Sequence, residues 1–221
     1  ASSSAGAERV APADELARVL PVVAELAADG IVVSIDTMNA VTAGLSVEAG
    51  ARIVNDVSGG LADPDMLATV AASDADVILQ HWRGHSADMY AGARYADVVT
   101  EVVAELDARR RAAMAAGISP DRIVLDPGIG FGKHGDQNWE ALRGLDRVVG
   151  IGARVLVGTS RKRFLAEALA SDAAEVSEPR RDLATAVTSV LAAQAGAWAV
   201  RVHDAAATRD ALAVWSRWEN R

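Results

Sequence analysis

Three cations stand within five residues at Thr159-Ser160-Arg161-Lys162-Arg163. The segment follows an apolar run and opens a predicted helix, where free backbone N–H groups and the helix dipole favour an anion. Clustered cations oppose that dipole, a mismatch that a nearby anionic ligand would resolve. The bland alternative is a solvated first turn. A second cationic group, Arg201-Val202-His203-Asp204, leaves the last apolar run. Strand alternation sends Arg201 and His203 to one face. An Arg can hold phosphate through two parallel N–H groups, and a His can add a donor. The bland alternative here is a surface Arg–Asp pair.

Acceptors recur in the same way. Asp36, Asn55 and Asp126 each close an apolar run. A carboxylate at such a place must find hydrogen-bond donors, and the three together suit a flat heterocycle carrying N–H groups and ring nitrogens. Taken singly, each reads as a helix N-cap. The loop Asp126-Pro-Gly-Ile-Gly-Phe-Gly-Lys133 has glycines at alternate positions, which let the backbone come close to a ligand. It is not a P-loop: the spacing before Gly132-Lys133 is wrong, and His134 replaces the Ser/Thr that would bind Mg²⁺. No helix starts tightly on the glycines, as a dinucleotide fingerprint would need. His81 and His85 have HxxxH spacing, but Trp82 stands where a zincin has Glu, which argues against metalloprotease chemistry. No G-x-S-x-G nucleophile elbow occurs. Trp82, Trp139, Trp198, Trp215 and Trp218 read as core rather than ligand platforms.

These residues need elements to position them. Short apolar runs predict strands at Ile31–Asp36, Ala51–Asp56, Asp76–His81, Arg122–Asp126, Ala153–Gly158 and Trp198–Val202. Helical spacing predicts helices at Ala11–Ala28, Asn39–Ala49, Asp65–Ala72, Tyr95–Ala116, Asn138–Val149, Arg180–Ala195 and Ala205–Trp218. Trp82–Arg94 reads as a loop and Ser171–Pro179 as an exposed linker. Alternating β and α means a parallel sheet with helices outside it. An open doubly wound sheet would bring only a few strand ends to one crevice. A barrel brings all of them to one rim, which suits polar residues at every strand end. The expected fold is therefore α/β, a (β/α)8 TIM barrel with six of eight strands visible, forming one domain over residues 1–221.

Composition excludes other classes. The chain has 221 residues, with 22 Lys+Arg against 30 Asp+Glu, a formal charge of −8. So acidic a chain is not a general nucleic-acid or membrane-surface binder. No apolar run reaches the roughly 18–20 residues of a membrane span. The absence of Cys rules out disulfides and thiol nucleophiles and fits a cytoplasmic protein. The first residues, ASSSAGAERV, carry no secretory-signal pattern and no initiator Met, so an N-terminal portion is expected to be missing.

The motifs Ser34-Ile-Asp-Thr37, Asn55-Asp-Val-Ser-Gly-Gly60, Leu79-Gln-His-Trp82, Asp126-Pro-Gly-Ile-Gly-Phe-Gly-Lys133, Gly158-Thr-Ser-Arg-Lys162 and Arg201-Val-His-Asp204 stand in this order. Together they resemble the dihydropteroate synthases of folate biosynthesis, with an actinobacterial flavour. The resemblance implies a transferase that condenses 6-hydroxymethyl-7,8-dihydropterin diphosphate with 4-aminobenzoate. It implies that Asp36, Asn55, Asp126 and Lys162 hold the pterin, and that Arg201, His203 and Ser3 hold the diphosphate. Phe131 and Ser160 would border the aminobenzoate, and Lys162, Arg201 and His203 would carry catalysis. It further implies Mg²⁺, a homodimer and a sulfonamide target. The family's first strand and its metal-binding Asn have no counterpart in the sequence. Ser4 and Ala5 stand where the family has Arg and Pro. The competing readings are a non-catalytic pterin-binding paralogue or inactive fragment, and a methyltetrahydrofolate methyltransferase. The paired Lys162 and Arg201 motifs argue against the methyltransferase, since a methyl donor needs no diphosphate clamp.

Overall fold

A computed structural model describes residues 10–84, 94–170 and 172–219. Helix α1 (Pro12–Ala28) leads into β1 (Ser34–Asp36), α2 (Ala40–Glu48), β2 (Ile53–Asp56), α3 (Met66–Ala71), β3 (Asp76–Gln80) and α4 (Val98–Ala115). Then come β4 (Ile123–Asp126), α5 (Gly135–Arg143), α6 (Leu145–Val149), β5 (Arg154–Val157), α7 (Arg163–Glu167), α8 (Glu178–Gln194), β6 (Ala199–Val200) and α9 (Ala205–Trp218).

Each strand lies beside its sequence neighbours, in the order β1-β2-β3-β4-β5-β6, and the pairings are parallel. A doubly wound sheet reverses its strand order at a switch point. This one does not, which selects the barrel: the six strands are consecutive staves of a (β/α)8 fold. Alternation then divides each strand between two layers. Val77, Leu79, Ile123, Leu125, Val155 and Val157 pack outward into the main core with the helices. Ile78, Val124 and Leu156 form a second cluster on the inner face, with Ile53 and Ala199 against it. The inner residues one step further along β2, β3, β4 and β6 are the polar rim, Asn55, Gln80, Asp126 and Arg201.

Several elements differ from the sequence expectation. The first strand starts at Ser34, because Ile31 and Val32 are 51 % and 68 % exposed and precede the first ladder pair, Ser34–Ile53. The predicted helix over Asn138–Val149 is two helices broken at Gly144. A Cβ there would collide with the Val99 side chain, so α4 comes too close for any other residue. The cationic segment is a turn and not a first helical turn: α7 begins at Arg163, and Lys162 is its extended N-cap. The expected linker instead holds a 3₁₀ turn at Ala173–Glu175, a buried Val176, and Pro179 within the first turn of α8. The tryptophans are not uniformly core. Trp139 packs edge-on against Phe164 at 4.9 Å, but Trp218 is 84 % exposed on the outer side of α9.

One buried carboxylate sets the β1–α2 loop. Glu15 on α1 accepts from Thr37 Oγ1 at 2.9 Å, from Thr42 Oγ1 at 3.0 Å and from the Asn39 side chain. The loop that follows Asp36 is thereby tied to α1. Glu15→Gln places an amide N–H₂ among these donors, and unpaired buried donors are costly. The expected loss of stability is about 2–3 kcal/mol, read by urea denaturation.

Candidate active site

Strand parity brings the predicted acceptors together. Asp36 pairs in register with Asn55, Asn55 with Ile78, and Gln80 with Asp126. Ile78 lies on the inner face, so Asp36, Asn55, Gln80 and Asp126 face the barrel interior at its carboxyl end. Hydrogen bonds link Asp36, Asn55 and Asp126 in a chain through Arg201. Asn55 Nδ2 donates to Asp36 Oδ2 at 3.0 Å. The Arg201 fork donates from Nη1 to Asn55 Oδ1 and from Nη2 to Asp126 Oδ2, each at 3.0 Å. Gly128 N donates to the other Asp126 oxygen at 2.8 Å. Gly158 provides the bed for this fork, since a Cβ there would lie 3.1 Å from Arg201 Nη2. Burial pushes the Asp36 carboxyl upward, opposed by the Arg201 charge. Arg201 is therefore not the surface partner of Asp204, which instead caps α9 by accepting from Ala207 N at 2.9 Å.

The cationic segment divides its charges. Arg161 has φ +55° and turns away to Asp182 and Glu178 on α8, at 2.8–2.9 Å. Arg163 is an exposed partner of Glu167. Lys162 alone of the three turns to the glycine loop. Its Nζ donates to Ile129 O and lies 4.3 Å from the Phe131 ring centroid. Gly130 is required above it, because a Cβ there would collide with Lys162 Cδ. Burial pulls the Lys162 ammonium down to about 8, against the attraction of Asp126. Ser160 joins His203: Ser160 Oγ and His203 Nδ1 are 2.7 Å apart, and His203 N donates to Ser160 Oγ at 3.0 Å. The last two strand ends are thus stitched together, beside Lys162 and Arg201.

Sequence reasoning missed a buried relay beneath this loop. Lys133 is 2 % exposed. Its Nζ donates to Gly128 O at 3.1 Å and Phe131 O at 3.2 Å, and approaches His81 Nδ1 at 3.1 Å. His81 Nε2 meets Glu105 Oε2 on α4 at 3.0 Å, and Arg83 holds Glu105 and Glu101. An ammonium facing Nδ1 fixes the neutral Nε2–H tautomer. Burial lowers Lys133 to about 7 and His81 to about 4. Burial raises Glu105, but the bonds from His81 and Arg83 more than offset it and bring it to about 2. The only sequence signal was a lysine closing the glycine run. Of the remaining expectations, Ser3 and His85 lie outside the described residues.

His81 gives a pH prediction. Its folded value of about 4 lies below the ordinary 6.5, so the folded state binds fewer protons between these values. The His81 contribution to stability is full above pH 6.5 and is lost as pH drops toward 4, by about 3 kcal/mol in all. Urea denaturation between pH 6.5 and 4.5, above the range of Glu105, should show this slope in the native protein and lose it in His81→Gln.

Comparison with known proteins agrees with this geometry. The family described as pterin binding enzyme matches residues 1–203. Dihydropteroate synthase of Mycobacterium leprae (strain TN) is 51 % identical over 219 residues, covering 98 % of this chain and 77 % of that protein. The crystal structure of Xanthomonas albilineans dihydropteroate synthase with 4-aminobenzoic acid superposes with a TM-score of 0.91 at 38 % identity. It covers all of this chain and 77 % of its own. The Thermus thermophilus enzyme in complex with 6HMPPP gives a TM-score of 0.81 at 38 % identity, covering 92 % of this chain and 77 % of that one. With its motifs, barrel and rim in place, the chain belongs to the pterin-binding enzyme family, among the dihydropteroate synthases.

Proposed function

We propose that this protein joins 6-hydroxymethyl-7,8-dihydropterin diphosphate to 4-aminobenzoate, releasing dihydropteroate and pyrophosphate. One observation carries the assignment of roles: the Arg201 fork spans Asn55 and Asp126. A guanidinium is a planar set of N–H donors. The amino and ring N–H groups of a pterin present a similar planar set, so the same acceptors can receive either. Pterin binding then frees Arg201 to hold the diphosphate two-pronged, with His203 as a second donor. Asp36 and Asn55 extend the acceptor wall, and Lys162 supplies a donor from the opposite side. Phe131 and Ser160 border the space left for the aminobenzoate.

The chemistry needs positioning more than a protein nucleophile. The C–O bond between the pterin methylene and the diphosphate breaks early, and its electron pair leaves with the diphosphate. The aromatic amine nitrogen forms the new C–N bond and gives up one proton. Arg201, His203 and Lys162 stabilise the departing charge. The resemblance implies magnesium, an ion commonly held by one or two side chains together with substrate phosphates. Among the described residues no three His, Asp or Glu side chains converge, and no step is routed through the ion.

Among the described residues no helix is long and apolar enough to cross a membrane. We place the reaction in the cytoplasm, a reading supported by the absence of Cys. We read the chain as one barrel domain, and as a homodimer that uses the exposed Val214 and Trp218 of α9.

The test is turnover of the two substrates, with calorimetry on Lys162→Ala and Arg201→Ala. Each variant is expected to bind the pterin diphosphate about 1–3 kcal/mol more weakly, the range for losing a charge-assisted hydrogen bond. No turnover with the native protein, or unchanged affinity in both variants, contradicts the assignment.

A further inference from the structure

Lys133 is 2 % exposed and out of reach of any substrate. Its Nζ meets three acceptors: Gly128 O at 3.1 Å, Phe131 O at 3.2 Å and His81 Nδ1 at 3.1 Å. An ammonium has three N–H groups, and these partners use all of them. None is a carboxylate. Burying a charge without a counter-charge in contact is costly, so packing alone does not account for a lysine here.

The two carbonyls say what the charge does. Phe131 N donates to Gly128 O at 3.0 Å and closes a turn over residues 128–131. Lys133 bonds the carbonyls at both ends of that turn. Other ties hold its neighbours: Asn138 Oδ1 accepts from Gly130 N at 2.6 Å, and Tyr95 Oη donates to Gly132 O at 2.8 Å. Among the described residues only Lys133 reaches the carbonyl of Phe131 itself. The ring of that same residue lies 4.3 Å from Lys162 Nζ. His81, the third partner, is held in its turn. Its Nδ1 accepts only if the ring proton is on Nε2, and Nε2 lies 3.0 Å from Glu105 Oε2 on α4. The Glu105 side chain is 41 % exposed and is gripped by Arg83. An acid on an outer helix is thereby connected, through His81 and Lys133, to the turn that carries Phe131.

We propose that Lys133 is a positioning residue for the aromatic amine substrate: it fixes the Phe131 ring, and Glu105 supports it by holding His81 in the accepting tautomer. The inference rests on the substrate reading given above, in which Phe131 borders the aminobenzoate. Asp36, Asn55 and Arg201, assigned to the pterin diphosphate, make no contact with Lys133, His81 or Glu105.

The experiment compares native protein with K133M, E105L and E105Q. It reads steady-state kinetics in aminobenzoate at saturating pterin diphosphate, calorimetry of the pterin diphosphate, and urea midpoints. K133M should raise KM for aminobenzoate by about 10-fold or more, the effect of losing charge-assisted bonds, with kcat and pterin-diphosphate affinity within about threefold of native. E105L removes the acceptor for His81 Nε2–H and should raise the same KM about 3–10-fold. In E105Q the carboxamide oxygen still accepts, so its KM should stay within about twofold of native. If K133M does not fold, E105L against E105Q decides the matter. A lower urea midpoint in E105L with an unchanged KM means that the relay serves stability alone, and overturns the proposal. Equal weakening for both substrates also overturns it, as a general disturbance of the site. A native protein that neither binds the pterin diphosphate nor turns over removes the substrate reading, and this inference with it.

Discussion

The bridge from Arg201 to Asn55 and Asp126 is the constraint on which the rest of the site depends. Arg201 follows β6, while Asn55 lies in β2 and Asp126 in β4. In a flat sheet, four strand spacings of about 4.8 Å would put β6 roughly 19 Å from β2. No side chain closes that gap, so the sheet must curl until these strand ends face one another. The same curvature lets Ile53, Ile78, Val124, Leu156 and Ala199 share one inner cluster. Packing below and hydrogen bonding above thus require the same shape, and the site is a consequence of that shape.

Two layers of charge share the loop from Asp126 to Lys133. On the inner side Lys162 and Arg201 hold it through Ile129 O and Asp126. On the helix side Lys133 draws Gly128 O and Phe131 O together and lies in line with His81 and Glu105. A loop with positive φ at Gly128, Gly130 and Gly132 would otherwise have many conformations. Lysine contacts from both sides, Lys133 buried and Lys162 partly buried, restrain them, at the cost of desolvating both ammonium groups. The placement of the Phe131 ring beside the site therefore depends on ionic contacts on both sides of its loop.

Much of this was legible in the sequence, and the reasons for the rest are physical. Asp36, Asn55, Asp126 and Arg201 stood out because each ends an apolar run, and strand parity then fixed their common face. Gln80 did not stand out, because it lies one residue inside a predicted strand whose visible end was His81. Glu15 and Lys133 carry no spacing signal: one is the second of two adjacent acids in the first turn of a helix, the other the last residue of a glycine loop. The cluster at residues 161–163 signalled anion binding three times over. Yet a positive φ turns Arg161 to α8, and Arg163 faces solvent. Charge density along a chain says nothing of the direction each side chain takes. The break at Gly144 was hidden for a similar reason, since the collision it avoids is with Val99, which is distant in sequence.

Central to the site is the coupling of Arg201 and Asp126 across the barrel mouth. A double-mutant cycle in urea denaturation, with Arg201→Lys, Asp126→Asn and the double variant, measures that coupling directly. The expected interaction energy is about 1 kcal/mol or more, because Lys cannot reproduce the two-pronged fork and Asn cannot reproduce the charge. Effects that add to within about 0.3 kcal/mol would mean that the two residues do not communicate, and would contradict the coupling.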